Sequence, residues 1–226
     1  MLNILHSSDL HTDAEGFRLE LEKILDPVFT PDIVLFTGDM IRNFRKLSSI
    51  VYDKQSEGDR QKIEWAKIID IVNEIYDSVP IVSVPGNHDF YDCAIDGSVE
   101  SFDSTTPNLI EVKGYKFAGF SGVNWIDRGR WRDELNERSL KLIFEILMDV
   151  GKEADILVTH GPGHMILDQV YAGCNVGYRN FSEVIKGLPK LKLHAFGHIH
   201  EAHGLETHNG VMYSNAATTF HKLTIP

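Results

Sequence analysis

Residues 193 to 200 read "LHAFGHIH". The run begins as a core strand should, with Leu193, Ala195 and Phe196, and stops in a glycine followed by two imidazoles, His198 and His200. A neutral imidazole fills a core poorly but ligates transition metals well, so a strand that finishes this way predicts partner ligands elsewhere. Other apolar runs stop as abruptly: "LNILHSSD" from residue 2, "DIVLFTGD" from 32, "IVSVPGNHD" from 81, "YKFAGFSG" from 115 and "DILVTHG" from 155. Runs without polar alternation predict strands buried on both faces, with chemistry left to their ends.

Helical patterns lie between them. Phe17, Leu21, Ile24, Leu25 and Val28 share one face before "TP" breaks the run; Trp65, Ile68, Val72 and Ile75 share a second, and Leu140, Ile143, Phe144, Leu147 and Val150 a third. Strands alternating with such helices imply βαβ crossovers, hence the α/β class and a mostly parallel sheet covered by helices. "VMYSNAATTF", residues 211 to 220, reads as a further strand closing the fold, while "RKLSSIVYDKQSEGDRQK" and "DCAIDGSVESFDSTTPN" read as polar surface loops able to overhang a site. The 226 residues fit one domain over 1–226, since nothing in the middle reads as a linker.

Composition narrows the function classes. A hydrophobic fraction of 42% and a charged fraction of 24% are ordinary for a globular chain, and no apolar run approaches the ~20 residues of a bilayer span. "MLNILHSSDLH" lacks a basic start and a small-residue cleavage site, so it reads as a first strand and predicts a cytoplasmic protein with no membrane partner. Cys93 and Cys174 are too few for a disulfide framework or a thiolate zinc site and read as free thiols. A net charge of -11 disfavours nucleic acid as a partner without excluding a small positive pocket.

Such a pocket follows from the strand ends. Asp9 and His11 in "SDLH", Asp39 in "TGDM", Asn87 and His88 in "PGNHD", His160 in "VTHGP", and His198 and His200 in "GHIH" all sit where an apolar run stops. In an open α/β sheet the crevice lies beyond the carboxyl ends of parallel strands, which predicts that these residues converge. The carboxylates Asp9 and Asp39, the Asn87 amide and four imidazoles form an oxygen and nitrogen set with no thiolate. This set suits Mn first, with Fe, Zn, Ni or Co as other choices, better than Ca or Mg alone. Seven ligands exceed one tetrahedral ion but serve two divalent ions sharing a carboxylate, with open positions for solvent and substrate. Two such cations against two carboxylates and a bridging hydroxide leave about one unit of positive charge, enough to draw an anion. Metals roughly 3.5–4 Å apart match in-line phosphoryl transfer, which points to phosphate ester hydrolysis.

In this order at strand ends, "DLH", "GD", "GNHD", a lone "H" before "GP", and "GHIH" resemble the calcineurin-like metallophosphoesterase family from Asp9 to His200. The resemblance implies a four-layer αββα sandwich: two stacked mixed sheets flanked by helices. It also implies that Asp9, His11 and His200 hold a first metal, that Asn87, His160 and His198 hold a second, and that Asp39 bridges them. By the same resemblance His88 is no ligand but stands beside the site, to donate a proton to the leaving oxygen or to steady charge on the phosphoryl group. From Asp155 to Ala217 the chain is similar to brain-type metallophosphoesterase-domain proteins and their microbial relatives, which implies phosphodiester hydrolysis, cyclic nucleotides included. The long polar segment between "GDM" and "PGNHD" departs from that subfamily. A Ser/Thr protein phosphatase is disfavoured because "GDMIRNFRK" lacks the Asp-Arg-Gly run of that branch. Rival readings are a repair-type DNA nuclease, a phosphomonoesterase and, from another class, a metal-stabilised binding module without catalysis.

Several residues carry two readings. Asp89 orients His88 or caps locally. Arg42 and Asn43 position a phosphate oxygen or begin a loop. In "NWIDRGRWR", Trp125, Arg128, Arg130, Trp131 and Arg132 stack a base and pair with phosphate, or form a solvated basic approach to the next helix, the latter favoured. His164 touches substrate or, as favoured, lies on a surface loop, while His6, His194, His203, His208 and His221 match no motif position and read as ordinary.

Overall fold

The computed structural model describes residues 1–44, 53–95, 97–124 and 131–226. One sheet contains β1 (Leu2–Ser8), β2 (Ile33–Phe36), β3 (Ile81–Ser83), β4 (Val99–Ser101) and β13 (Thr219–Ile225), in the order β13-β1-β2-β3-β4. The other contains β5 (Asn108–Val112), β6 (Tyr115–Phe120), β9 (Ile156–Thr159), β10 (Leu193–Phe196), β11 (Gly204–His208) and β12 (Val211–Asn215), in the order β11-β12-β10-β9-β6-β5. Both sheets are parallel in the middle, and the pairs β1·β13, β11·β12 and β5·β6 run antiparallel. A short ladder pairs β7 (Val123–Asn124) with β8 (Glu134–Leu135).

Three apolar layers hold these parts together. Ile4, Ile33, Leu35 and Val82 meet Phe117, Ile156, Val158, Leu193 and Ala195 between the sheets. On the outer face of the first sheet, Leu5, Val34 and Phe36 pack on Phe17 and Leu21 of α1 (Ala14–Lys23) and on Trp65, Ile68 and Val72 of α2 (Lys54–Tyr76). On the outer face of the second, Ala118, Phe120 and Leu157 pack on Leu140, Phe144 and Leu147 of α3 (Glu137–Val150) and on Phe181 and Val184 of α4 (Phe181–Lys186). Each fully buried Leu, Ile or Phe is worth about 1.5–3 kcal/mol, and the inter-sheet layer holds the carboxyl ends of both sets of parallel strands along one edge. The layering is helix, sheet, sheet, helix, as the family resemblance implies.

The structure departs from the sequence reading in four places. The periodicity alone reaches only a mostly parallel sheet covered by helices, whereas the two mixed sheets implied by the family resemblance are present, since a strand buried on both faces looks the same whether a helix or a second sheet covers it. Helix α1 stops at Lys23, leaving Leu25 and Val28 47% and 90% exposed; Pro27 bars helical backbone at Asp26 and so ends the periodic run. Helix α2 reaches back to Lys54, capped by Asp53, so the later part of "RKLSSIVYDKQSEGDRQK" is helix, while residues 45–52 lie outside the described residues. Its first turns bury Glu57, Gly58 and Gln61, and polar residues on the buried face conceal the helical period. "DCAIDGSVESFDSTTPN" contributes edge strand β4 with Val99 and Phe102 buried, and "VMYSNAATTF" supplies β12 and the start of β13.

Candidate metal centre

Tight turns leave the carboxyl ends of β1, β2 and β10, and there Asp9, His11, Asp39 and His198 all take left-handed backbone, with φ of 52°, 45°, 54° and 71°. Non-glycine residues avoid that region, so four together mark backbone held in place by its surroundings. Glycines make room for the carboxylates: a Cβ at Gly86 would stand 2.2 Å from Asp39 Oδ1, and one at Gly197 2.2 Å from Asp9 Oδ2. That close approach is the physical content of the glycines in "GNHD" and "GHIH".

The two sheets meet through these carboxylates. Asp9 Oδ2, on the first sheet, accepts the Ser8 hydroxyl at 2.6 Å and the His198 N–H of the second sheet at 2.7 Å. Its Oδ1 lies 3.3 Å from His200 Nε2 and 4.0 Å from His160 Nε2. Asp39 Oδ1 accepts the His88 N–H at 2.7 Å, and Oδ2 stands 3.4 Å from His160 Nε2 and 4.0 Å from His11 Nε2. Asn87 Oδ1 is 3.1 Å from His160 Nε2, and the His160 and His198 rings lie 4.9 Å apart. Ligand-type atoms of Asp9, His160 and His198 fall within 4.8 Å of one another, as do those of Asp9, His11 and His200. All seven residues singled out as ligands therefore gather at the carboxyl ends of the strands.

The electrostatics call for positive charge among these oxygens. His160 Nδ1 donates to the Thr37 carbonyl at 2.6 Å, which leaves Nε2 facing the oxygens of Asn87, Asp39 and Asp9. A lone pair aimed at three oxygens is repulsive unless a proton or a metal ion lies between them. Accordingly, burial opposes charging of His160, yet the carboxylates of Asp39 and then Asp9 outweigh it and lift its pKa to about 10. Burial would raise Asp9 and Asp39, and the imidazoles, His160 foremost, hold both below the usual carboxylate range. His198 is pushed down to about 4 by burial and then by His160, and so stands as a neutral donor. Two buried carboxylates, an amide oxygen and converging imidazole nitrogens form a donor set that fits divalent cations.

Around His88 the two-way readings resolve. Asp89 neither orients the imidazole nor caps a helix: its Oδ2 accepts the Asp39 N–H at 2.7 Å and the Gly86 N–H at 2.8 Å, tying two ligand loops together. Burial, and then the charge of Asp39, raise its pKa to about 7. Asn43 bonds His88 Nδ1 at 2.6 Å, while Arg42 pairs with Asp13 at 2.8 Å. Arg132 is no free phosphate ligand; its guanidinium donates to the carbonyls of Tyr91, Asp89 and Asp103 and pairs with Asp133, bracing the turn that carries Asn87. Trp131 packs on the His88 ring at 4.2 Å, and Trp125, Arg128 and Arg130 lie outside the described residues. His164 stands against Asp168, 3.4 Å away, and lines a different cavity with Phe181, His194 and Tyr213, apart from the candidate ligands.

Sequence reasoning passed over Gln61 and Asp168. Gln61 is buried on α2 and bonds His88 O and the Phe90 N–H; Asp168 is buried and accepts the Gly177 N–H. A single polar residue in a helical or loop pattern gives no warning of burial, so neither carried a usable signal. His6 is also more than an ordinary core residue: it bonds Ser214 at 2.8 Å and Thr37 at 2.9 Å and so links the two sheets. Cys93 is buried and Cys174 exposed, both unpaired. Among the described residues no helix is long and apolar enough to cross a membrane.

A four-layer αββα protein that gathers carboxylates and imidazoles at its strand ends is, by class, one built to bind metal ions between two sheets. The profile of the calcineurin-like phosphoesterase family matches residues 2–202, and the chain belongs to that family, whose members use divalent metal ions. One solved structure aligns at 13% identity over 94% of this chain and 89% of its own, with a TM-score of 0.58. A dimetal phosphatase from Danio rerio aligns at 13% identity over 96% of this chain and 88% of its own, with a TM-score of 0.51. At such identity the likeness is one of fold.

Proposed function

We propose that the chain, as a single cytoplasmic domain, hydrolyses small phosphodiesters, nucleotide esters among them, with two divalent cations bound in the cleft. In this reading Asp9, His11 and His200 hold one cation, Asn87, His160 and His198 hold the other, and Asp39 is shared. The supporting observation is the place of Asp39: its Oδ2 lies within 3.4 Å of His160 Nε2, from one group of candidate ligands, and 4.0 Å of His11 Nε2, from the other. The mixed oxygen and imidazole set suits Mn, Fe, Zn, Ni or Co, and we propose Mn first. The Danio rerio protein, itself a dimetal phosphatase, is consistent with a count of two.

When bound, the two cations would supply Lewis acidity toward the phosphoryl oxygens and lower the pKa of water at neutral pH. The chain does the rest. The Thr37 carbonyl keeps the His160 proton on Nδ1 so that Nε2 faces the cleft, and the Ser8 hydroxyl and His198 N–H fix the Asp9 carboxylate. Asp39 Oδ1, by accepting the His88 N–H, places that imidazole at the edge of the cleft, 4.9 Å from the His11 ring, where it can hydrogen-bond the reacting phosphoryl group.

The test is turnover of bis-p-nitrophenyl phosphate and of the mono ester with Mn added, repeated after chelation and with His88→Ala. Diester turnover abolished by chelation and cut about 10²–10³-fold by His88→Ala is the expected result. Full metal occupancy with no turnover of either ester would favour a binding module.

A further inference from the structure

The polarity of the hydrogen bonds behind His88 decides what that residue can do. The Phe90 backbone N–H can only donate, and it meets Gln61 Oε1 at 3.0 Å; the His88 carbonyl can only accept, and it meets Gln61 Nε2 at 2.8 Å. These two backbone groups fix which end of the Gln61 amide is which. The same Nε2 then reaches Asn43 Oδ1 at 3.4 Å, so Asn43 turns its NH₂ toward His88 Nδ1, 2.6 Å away. An amide NH₂ has hydrogens and no lone pair to offer, so Nδ1 must be the bare nitrogen and the ring proton sits on Nε2. The arrangement is anchored in α2: Gln61 and Glu57 are fully buried there, and Glu57 Oε1 accepts the N–H of Phe44, next to Asn43, at 2.5 Å.

We infer that Gln61 and Asn43 are positioning residues that hold His88 as its neutral Nε2–H tautomer, so that His88 steadies charge on the phosphoryl oxygens by donating a hydrogen bond and keeps its proton throughout. Proton transfer from this form to a leaving alkoxide would break the Nε2–H bond and leave an imidazolate with no cationic partner on Nδ1, because Asn43 offers only hydrogens there. An imidazolium would instead need an acceptor at the place Asn43 Nδ2 occupies. This deepens the proposed hydrolase reading, which left the role of His88 open between acid and charge stabiliser, and it rests on that reading for the reaction involved.

Two measurements test it. The first is ¹⁵N NMR of the His88 ring in the full chain loaded with diamagnetic zinc, at a pH where the ring is neutral. The wild type is expected to show Nδ1 unprotonated. Asn43→Asp, which can only accept, should move the proton to Nδ1, and Gln61→Met, which frees the Asn43 amide to turn, should give a mixture. A wild-type ring protonated on Nδ1, or one that ignores Asn43→Asp, overturns the inference. The second is the effect of His88→Ala across aryl phosphodiesters of graded leaving-group pKa. A loss of the same fold for good and poor leaving groups is expected; a loss that grows with leaving-group pKa would mean His88 gives up its proton and would overturn the inference. A chain that turns over no ester refutes the hydrolase reading, and the NMR result then still decides the tautomer.

Discussion

His160, just past the end of β9, and His194, inside the neighbouring strand β10, are the same side chain at 0% exposure, yet their protons behave in opposite ways. His194 has its ring among Phe181, Phe196 and Tyr213, with centroids 5.4, 4.7 and 6.0 Å away, and burial alone drives its pKa down to about 3. His160 suffers the same burial, but two carboxylates stand within 3.4 and 4.0 Å and carry it up to about 10. Burial therefore says little about whether a histidine is structural. What separates the two is position along the strand: inside β10 the side chain meets the helix layer, whereas one residue past β9 it meets the carboxylates that follow β1 and β2. The ends of parallel strands are where two sheets can pool charge.

The most damaging way to break this contrast is to remove the charge that makes His160 different. Asp39→Asn should leave the fold in place, since Asn can still accept the His88 N–H, but it removes the carboxylate proposed above to be shared by the two cations. Metal content after dialysis should fall and diester hydrolysis should drop to the chelated background; a variant retaining full turnover would show that Asp39 is not a ligand. Next in size is His88→Ala. Loss of one preorganised hydrogen-bond donor costs about 10²–10³ in kcat, with metal content unchanged, as read by steady-state kinetics and metal analysis of the same sample. Smaller again is Gly197→Ala, whose methyl would meet Ser8 Oγ at 2.0 Å and Asp9 Oδ2 at 2.2 Å. The loop carrying His198 must then shift against Asp9, and metal affinity should weaken about 10- to 100-fold, the usual cost of disturbing what supports a ligand. An unchanged affinity would mean that the two loops meet less closely than the geometry states.

How much of this was legible beforehand divides along the same contrast. Asp9, His11, Asp39, Asn87, His160, His198 and His200 stood out because ligand chemistry accepts few residue types, and such residues at the ends of apolar runs have no bland use in common. The glycines beside them were legible for a related reason, as close packing on a carboxylate excludes a side chain. Gln61, Asp89 and Asp168 were not legible, because each acts on backbone groups that no sequence pattern announces. Gln61 was further hidden by its own role: a buried face made polar to reach the His88 loop erased the apolar period that would have announced the start of α2. The doubling of the sheet was legible only through the family resemblance and not in the periodicity, since Ile4 and Leu5 are equally apolar although one faces the second sheet and the other faces the helices.

The smallest expected effect concerns His194 itself and can be read without any metal. The Thr159 hydroxyl donates to the Gly161 carbonyl at 2.7 Å, so its oxygen receives the His194 Nε2–H at 2.9 Å. That bond contributes about 1 kcal/mol. Unfolded, this imidazole takes a proton as the pH falls below about 6.5; folded, it stays neutral down to about 3. The unfolded state thus binds the extra proton in that window, and stability is complete above about pH 6.5 and declines by about 1.4 kcal/mol per unit as the pH falls toward the folded value. His194→Phe, whose ring suits the aromatic neighbours, loses the hydrogen bond but also this liability. Denaturant melts from pH 8 to 4.5 should find the variant less stable by about 1 kcal/mol at pH 8, with the two curves meeting between about pH 6 and 5 and the variant ahead below that. Curves that stay parallel across the window would mean that His194 is protonated in the folded chain, and its difference from His160 would then be one of degree only.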